Sequence, residues 1–228
     1  MAQVRPYGGV EARERIALRR RRLLDAGLEL LGGADDPAEL TVRAICGQAA
    51  VSARYFYESF TDKDELVAAV FDWVIADIAA TTQAAVTAAP PEEQARAAMA
   101  NIVRTIVGDA RIGRLLFSSH LANAVLARKR VEAGALMAAL AGQQAVTTLK
   151  VRDNDRVKAT AHFVVGGVVQ TISAWLAGEV DLQPDQLVDQ LASVVDRLGH
   201  PGLYSRPARA VPRDVDSVEI ASTVAIAV

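Results

Sequence analysis

The chain has 228 residues, is 51% hydrophobic and carries a formal net charge of −2. That is ample apolar material for one or two buried cores, and the bulk charge alone does not announce a polyanion partner. A single cysteine, Cys46, excludes a disulfide framework within the chain and points to a reducing compartment.

The charge is unevenly spread. Met1 to Leu24 holds seven arginines (Arg5, Arg13, Arg15, Arg19, Arg20, Arg21, Arg22) against Glu11 and Glu14, so the remainder is acidic. A basic arm on an acidic body suggests a polyanion at the N-terminal end; a solvated helix face is the other reading. The N-terminus lacks the apolar core of a signal peptide, and no uninterrupted apolar run reaches the roughly 18 residues of a membrane span. A cytoplasmic location without membrane contact is expected.

Helical periodicity dominates. The first helix is expected over about Glu11–Leu31, with Leu23, Gly27, Leu30 and Leu31 on one apolar face. Gly32-Gly33 ends it, Asp35-Asp36-Pro37 turns the chain, and Asp35, Asp36 and Glu39 leave that loop acidic. Thr41 is a natural N-cap for a helix over Val42–Ala49, and Ser52 for a short one over Ala53–Glu58. Asp62 and Glu65 form an Asp-x-x-Glu capping box for a fourth helix from Lys63 to about Thr81, burying Leu66, Val70, Phe71 and Val74. Cys46 falls in the first short helix beside Ile45 and reads as a small buried thiol.

Pro90-Pro91 marks a boundary. Beyond it, helices are expected over Glu92–Val107, with Ala95, Met99, Ile102 and Ile106 on one face, over Ile112–Ser118, and onward to about Leu149. The cleanest pattern is Arg152–Ala177, where Val157, Ala161, Val164, Val168, Ile172 and Trp175 recur at spacings of three and four. Gly178 stops it, and Asp181 to Pro184 turns the chain into a last helix ending near Leu198. Pro201, Gly202, Pro207 and Pro212 forbid regular helix in 199–228, which reads as an extended tail.

The stretch Thr41–Leu66 has the order short helix, tight turn, short helix, capped helix, the layout that places one helix in a DNA major groove. Val42, Ile45, Ala49, Val51 and Phe56 supply an inward set, while Arg43, Ala53, Arg54, Tyr55, Tyr57 and Lys63 point outward. Thr41-Val42-Arg43-Ala44-Ile45, Val51-Ser52, Phe56-Tyr57, Phe60 and Lys63 together resemble the TetR family of bacterial transcriptional regulators, and Leu23–Leu31 is similar to the family's first helix. The specific resemblance covers about Glu11 to Phe71. The family usually has Gly before Val-Ser; here it is Ala50, where a left-handed conformation would cost about a kcal/mol.

The resemblance implies an all-α fold: a helix-turn-helix DNA-binding domain with its connecting helix at 11–81, and a helical effector-binding and dimerisation domain at 92–198. It also implies roles by position. Thr41 and Ser52 cap helices and reach phosphate, Tyr57 and Lys63 hold phosphates, and Arg43, Arg54 and Tyr55, beside Ala53, face base edges. The arginines of the first helix strengthen non-specific attraction. Dimerisation through the last two helices implicates Val164, Val168, Ile172, Trp175, Leu187 and Leu191. Independently of the resemblance, Gly166-Gly167 allows close helix approach, and Val164, Val165, Val168, Val169, Ile172 and Leu176 are more apolar than one core face requires. Met99, Ile102, Phe117, Leu121, Met137 and Phe163 are candidates for an apolar effector pocket, with His120 and His162 as polar points; ordinary core is the competing reading for each.

No nucleophile–base–acid constellation, glycine-rich phosphate loop or metal-ligand spacing is legible, so no enzyme, cofactor or metal is expected. The expected partners are double-stranded operator DNA, a small-molecule effector and a second copy of the chain. The expected function is a ligand-responsive repressor; a helical small-molecule carrier or interaction module with a degenerate helix-turn-helix is the alternative.

Overall fold

The computed structural model describes residues 9–33, 40–118 and 123–198. The acidic loop at Asp35, Asp36 and Glu39, the pocket candidates His120 and Leu121, and the tail 199–228 lie outside the described residues. Nine α-helices are described: α1 (Gly9–Gly32), α2 (Val42–Ala49), α3 (Ala53–Tyr57), α4 (Lys63–Ala88), α5 (Gln94–Gly108), α6 (Ala110–Phe117), α7 (Ala124–Leu149), α8 (Asp155–Leu176) and α9 (Pro184–Leu198), with no strand among these residues. One 3-10 turn, Pro91–Glu93, follows the Pro90-Pro91 step.

The helix ends follow local chemistry. Asn123 and Asn154 accept backbone N–H bonds at the starts of α7 and α8, and Asp109 does so for α6. The helix starting at Lys63 runs to Ala88, beyond the expected Thr81, because nothing between them breaks it: Thr81 and Thr87 return their hydroxyls to carbonyls one turn back. Conversely, α8 starts at Asp155 rather than Arg152, since Asn154 takes the N-cap.

Two apolar clusters form. The first joins Leu23, Leu28, Leu31, Ile45, Phe56, Phe60, Leu66, Val70 and Phe71 with Leu115, Leu116 and Leu126. Residues from beyond Pro90 therefore complete the core under the helix-turn-helix. The second unites Val103, Ile106, Ile172, Leu187, Val188 and Leu191 of α5, α8 and α9. Phe117, at the end of α6, packs against both. Asn101 is the one buried polar residue among those described, and its amide donates to Thr81 and Thr82 at 3.0 Å each, tying α5 to α4.

Gly27 has a specific reason to be glycine. A Cβ there would stand 2.7 Å from Val70 Cγ2 and 3.0 Å from Leu66 Cδ2, so α1 and α4 touch at this point with no room for a methyl group.

By length and composition α8 is also apolar enough to cross a membrane; Val157, Ala161 and Ile172 are buried in the protomer. Its other side keeps apolar residues in solvent, Phe163, Val169 and Leu176 among them.

Candidate nucleic-acid interface

Thr41 adopts extended backbone and accepts the Ala44 N–H at 3.1 Å, capping α2. Ala50 ends α2 in the left-handed region, φ 49° and ψ 46°, its N–H directed to the carbonyls of Cys46 and Gly47. This is the conformation the family's glycine suits, and here a Cβ is carried through it. Ser52 occupies the N-cap position of α3 but makes no side-chain cap bond, contrary to expectation. The Asp62 carboxylate accepts the Glu65 N–H at 2.8 Å, while Glu65 reaches past the cap to the Thr61 N–H at 2.6 Å and its hydroxyl at 2.8 Å. Those Thr61 bonds hold the Glu65 carboxyl below the usual range.

The inward set is as the spacing predicts. Ile45, Ala49 and Phe56 are buried, and Val42 and Val51 pack against the same cluster. Phe56 is fully buried, meets Tyr57 edge-to-face with centroids 5.3 Å apart and lies 5.8 Å from Phe60. With Phe56 locked in the core, the opposite side of the five-residue α3 must face solvent. Ala53, Arg54, Tyr55 and Tyr57 are exposed there, the Arg54 side chain at 86% and Tyr57 at 60%. Arg43 on α2 and Lys63 on α4 are exposed as well.

The arginines of α1 do something the sequence does not reveal. Arg19 lies over the Tyr55 ring at 4.1 Å, Arg20 over Phe60 at 4.4 Å, and Arg21 over Trp73 at 4.0 Å. Arg20 also donates to the Ser59 carbonyl at 3.0 Å. Three consecutive cations thus brace α1 against α3 and α4 through aromatic faces. Arg19 and Arg54 both approach Glu58, at 4.0 and 3.4 Å, so the two guanidiniums and Tyr55 form one polar cluster on the exposed side of the motif. The share of Arg19 in this cluster was not legible in the sequence because Tyr55 and Glu58 lie 36 and 39 positions away from it.

The remaining candidates need correction. Ile172, Leu187 and Leu191, expected at a dimer surface, are buried in the protomer's own second cluster, and Val168 and Trp175 pack against it. Trp175 Nε1 donates to the Leu182 carbonyl at 2.8 Å, which turns it inward. Val164 is half-buried. The outward side of α8 carries Gly166 and Gly167, together with Val169 and Leu176 of the apolar excess, and also Phe163, at 67% exposure, with open space around both glycines. Phe163 therefore cannot line an interior pocket, and His162 is exposed beside it. Met99, Ile102, Phe117 and Met137 are half-buried, the first three against the second cluster. Among the described residues no group of three or more His, Cys, Asp or Glu side chains is placed to hold a metal.

A link joins the two halves. Arg111 on α6 donates to Glu29 of α1 at 2.6 Å and grips Asp109 at 2.6 and 2.8 Å. The neighbouring Arg114 donates its Nε to the Gly32 carbonyl at the end of α1. The paired carboxylates raise the Arg111 pKa beyond its already high value, and the guanidinium beside Asp109 lowers that carboxyl.

Residues 23–70 match the model of the bacterial regulatory proteins of the tetR family. No curated protein matches the chain in sequence. Among solved structures, the chain is similar to the fatty acid degradation regulator FadR from Bacillus halodurans, 13% identical over 78% of this chain and 94% of that one, TM-score 0.64. A TetR-family transcriptional regulator from a Rhodococcus species is 16% identical over 81% of this chain and all of that one, TM-score 0.65. FadR from Bacillus subtilis, determined with stearoyl-CoA, is 14% identical over 81% and 97%, TM-score 0.60. At such identities the structural likeness speaks for the fold.

Proposed function

Residues 23–70, on this fold, make the chain a member of the TetR family of bacterial regulatory proteins and a DNA-binding transcriptional regulator, and from that premise we propose a homodimeric repressor that leaves a palindromic operator when a small apolar effector binds. The observation that carries the reading is the outward side of α3: Arg54, Tyr55 and Tyr57 exposed on a helix fixed from behind by Phe56. Arg54, Tyr55 and Arg43 have the donors to read base edges, and Tyr57, Lys63, Thr41 and Ser52 those to hold phosphates. The Ser52 hydroxyl, with no cap bond of its own to keep, suits that task.

A second copy of the chain is the cover proposed for α8. Phe163, the open Gly166-Gly167 pair and Val169 form an apolar strip into which a partner helix fits closely, and Val194 of α9 is exposed as well. A two-fold dimer presents two α3 helices to half-sites about 34–36 Å apart or a multiple of that. The α1–α6 link supports the coupling: an effector that displaces α6 pulls on Glu29 and Gly32 through Arg111 and Arg114, and so reorients the motif packed on α1. The Bacillus subtilis relative holds stearoyl-CoA, so an apolar-tailed ligand is the first class to screen.

Operator binding by Tyr57→Phe and Lys63→Gln variants, titrated across salt concentration, tests the reading. Each is expected to bind all sequences more weakly, and Lys63→Gln to lower the salt slope by about one. Wild-type affinity and slope in both variants would remove the assignment.

A further inference from the structure

Arg130 stands out among the charged side chains that the DNA-binding reading leaves unused. It lies on the side of α7 that faces the protein, on the stripe of Leu126, Ala133, Gly134, Met137 and Ala138, where a cation is the exception. Its neighbour Lys129 pairs with Asp72 at 2.7 Å, whereas Arg130 has no carboxylate partner among the described residues. Its only partner there is a neutral one, the Leu115 carbonyl near the end of α6, which accepts from Nε at 3.2 Å and Nη2 at 2.6 Å. Burial pulls its pKa below the ordinary guanidinium value, with no acid offsetting the loss of hydration.

A guanidinium has more N–H donors than one carbonyl can accept from. Among the described residues no buried side-chain nitrogen or oxygen lacks a partner, so Nη1 of Arg130, which makes no hydrogen bond there, is reached by solvent. One turn further along α7, Gly134 has nothing within 4 Å of where a Cβ would stand. Half-buried apolar side chains occur on α7 itself, at Met137, and on its partners α6 and α8, at Phe117 and Val168, both of which also pack against the second cluster. A partly desolvated, charge-unmatched guanidinium beside open space and apolar side chains is suited to an anion with an apolar body.

We propose that Arg130 is the anchor of the effector site and that it recognises an anionic head group, a carboxylate or phosphate monoester, on an otherwise apolar ligand. This rests on the reading that the α5–α9 half binds the effector, and it narrows the effector from apolar to amphipathic and negatively charged. Because Arg130 also holds the Leu115 carbonyl, an anion that draws the guanidinium away loosens its hold on α6, the helix that carries Arg111 and Arg114.

The test is direct binding to the full chain of decanoate, decyl phosphate and decanol below their micelle concentrations, for wild type, Arg130→Lys and Arg130→Gln. Wild type is expected to bind one of the anions at least about tenfold more tightly than decanol. Arg130→Lys should keep most of that preference and Arg130→Gln should lose it, while decanol affinity stays level across all three. The tighter of the two anions identifies the head group. Equal binding of anion and alcohol by wild type, a preference that survives in Arg130→Gln, or no binding of any probe would overturn the proposal. A purely structural Arg130 would change melting temperature without moving the ratio of anion to alcohol. DNA binding by the ligand-free wild type is measured on the same samples: its absence alongside an intact anion preference sinks the regulator reading only, and its presence without that preference sinks the anion site only.

Discussion

Replacing Ala50 by glycine should stabilise the protein. Ala50 sits at φ 49° and ψ 46°, where a Cβ crowds the following carbonyl at a cost of about 1–2 kcal/mol. Its side chain is exposed, so removing the methyl forfeits little packing. Glycine gains freedom in the unfolded chain, which takes back about 0.4–1 kcal/mol. The net expectation is about 0.5–1 kcal/mol of added stability, or a rise of about 1–4 °C in melting temperature for a chain of this size. Lys150, at φ 52° and ψ 35° after α7, provides an independent replicate. It is distant in sequence and in a different turn, so Ala50→Gly and Lys150→Gly should add. Thermal and urea unfolding at fixed protein concentration measures both, since the stability of the proposed dimer would depend on concentration. An unchanged or lowered midpoint for Ala50→Gly would show that this turn stores no backbone strain.

Gly27→Ala should destabilise by about 1–3 kcal/mol, because the added methyl forces α1 and α4 apart at Val70 and Leu66; unfolding midpoints within error of wild type would contradict that contact. Glu65 has a lowered folded pKa, so the stability it contributes is present above its unfolded pKa and lost as pH falls through the folded one. Glu65→Gln should therefore flatten the acid limb of a stability–pH curve, and an unchanged limb would show that the Thr61 bonds do not matter in solution. Arg21→Ala should loosen α1 against Trp73 and shift tryptophan emission; a spectrum identical to wild type would argue against the stack. Phe163→Glu, on the open strip of α8, should give monomers in sedimentation; an intact dimer would place the interface elsewhere.

The DNA-binding half was legible because its signals are local. Thr41, the Val51-Ser52 turn, Phe56 and the Asp62/Glu65 pair act within a few residues, and the structure places the buried and exposed sides of α2 and α3 where the spacing puts them. The left-handed turn at Ala50 was anticipated only through the resemblance, whose usual glycine stands at that position. What escaped depends on distant partners. The arginines of α1 read as loose positive charge, yet Arg19, Arg20 and Arg21 lie over rings 36 to 52 positions away. On α8 the pattern is apolar around most of the helix, so periodicity could not tell the side packed on α5 and α9 from the side left open. Ile172 was assigned to the wrong side of that ambiguity and Phe163 to the interior, while on α9 the apolar face of Leu187 and Leu191 is taken by the protomer's own core. Arg130 carried no sequence signal at all, because a lone arginine in Lys-Arg surroundings looks solvated until the helix is placed against α6.

Footprinting on the DNA upstream of the chain's own gene, at two salt concentrations, decides whether the chain is an operator-binding dimer. A protected, roughly palindromic site is expected, its half-sites a whole number of helical turns apart and its affinity falling steeply as salt rises. A folded dimer that protects no site there, and selects none from a genomic library, would contradict it.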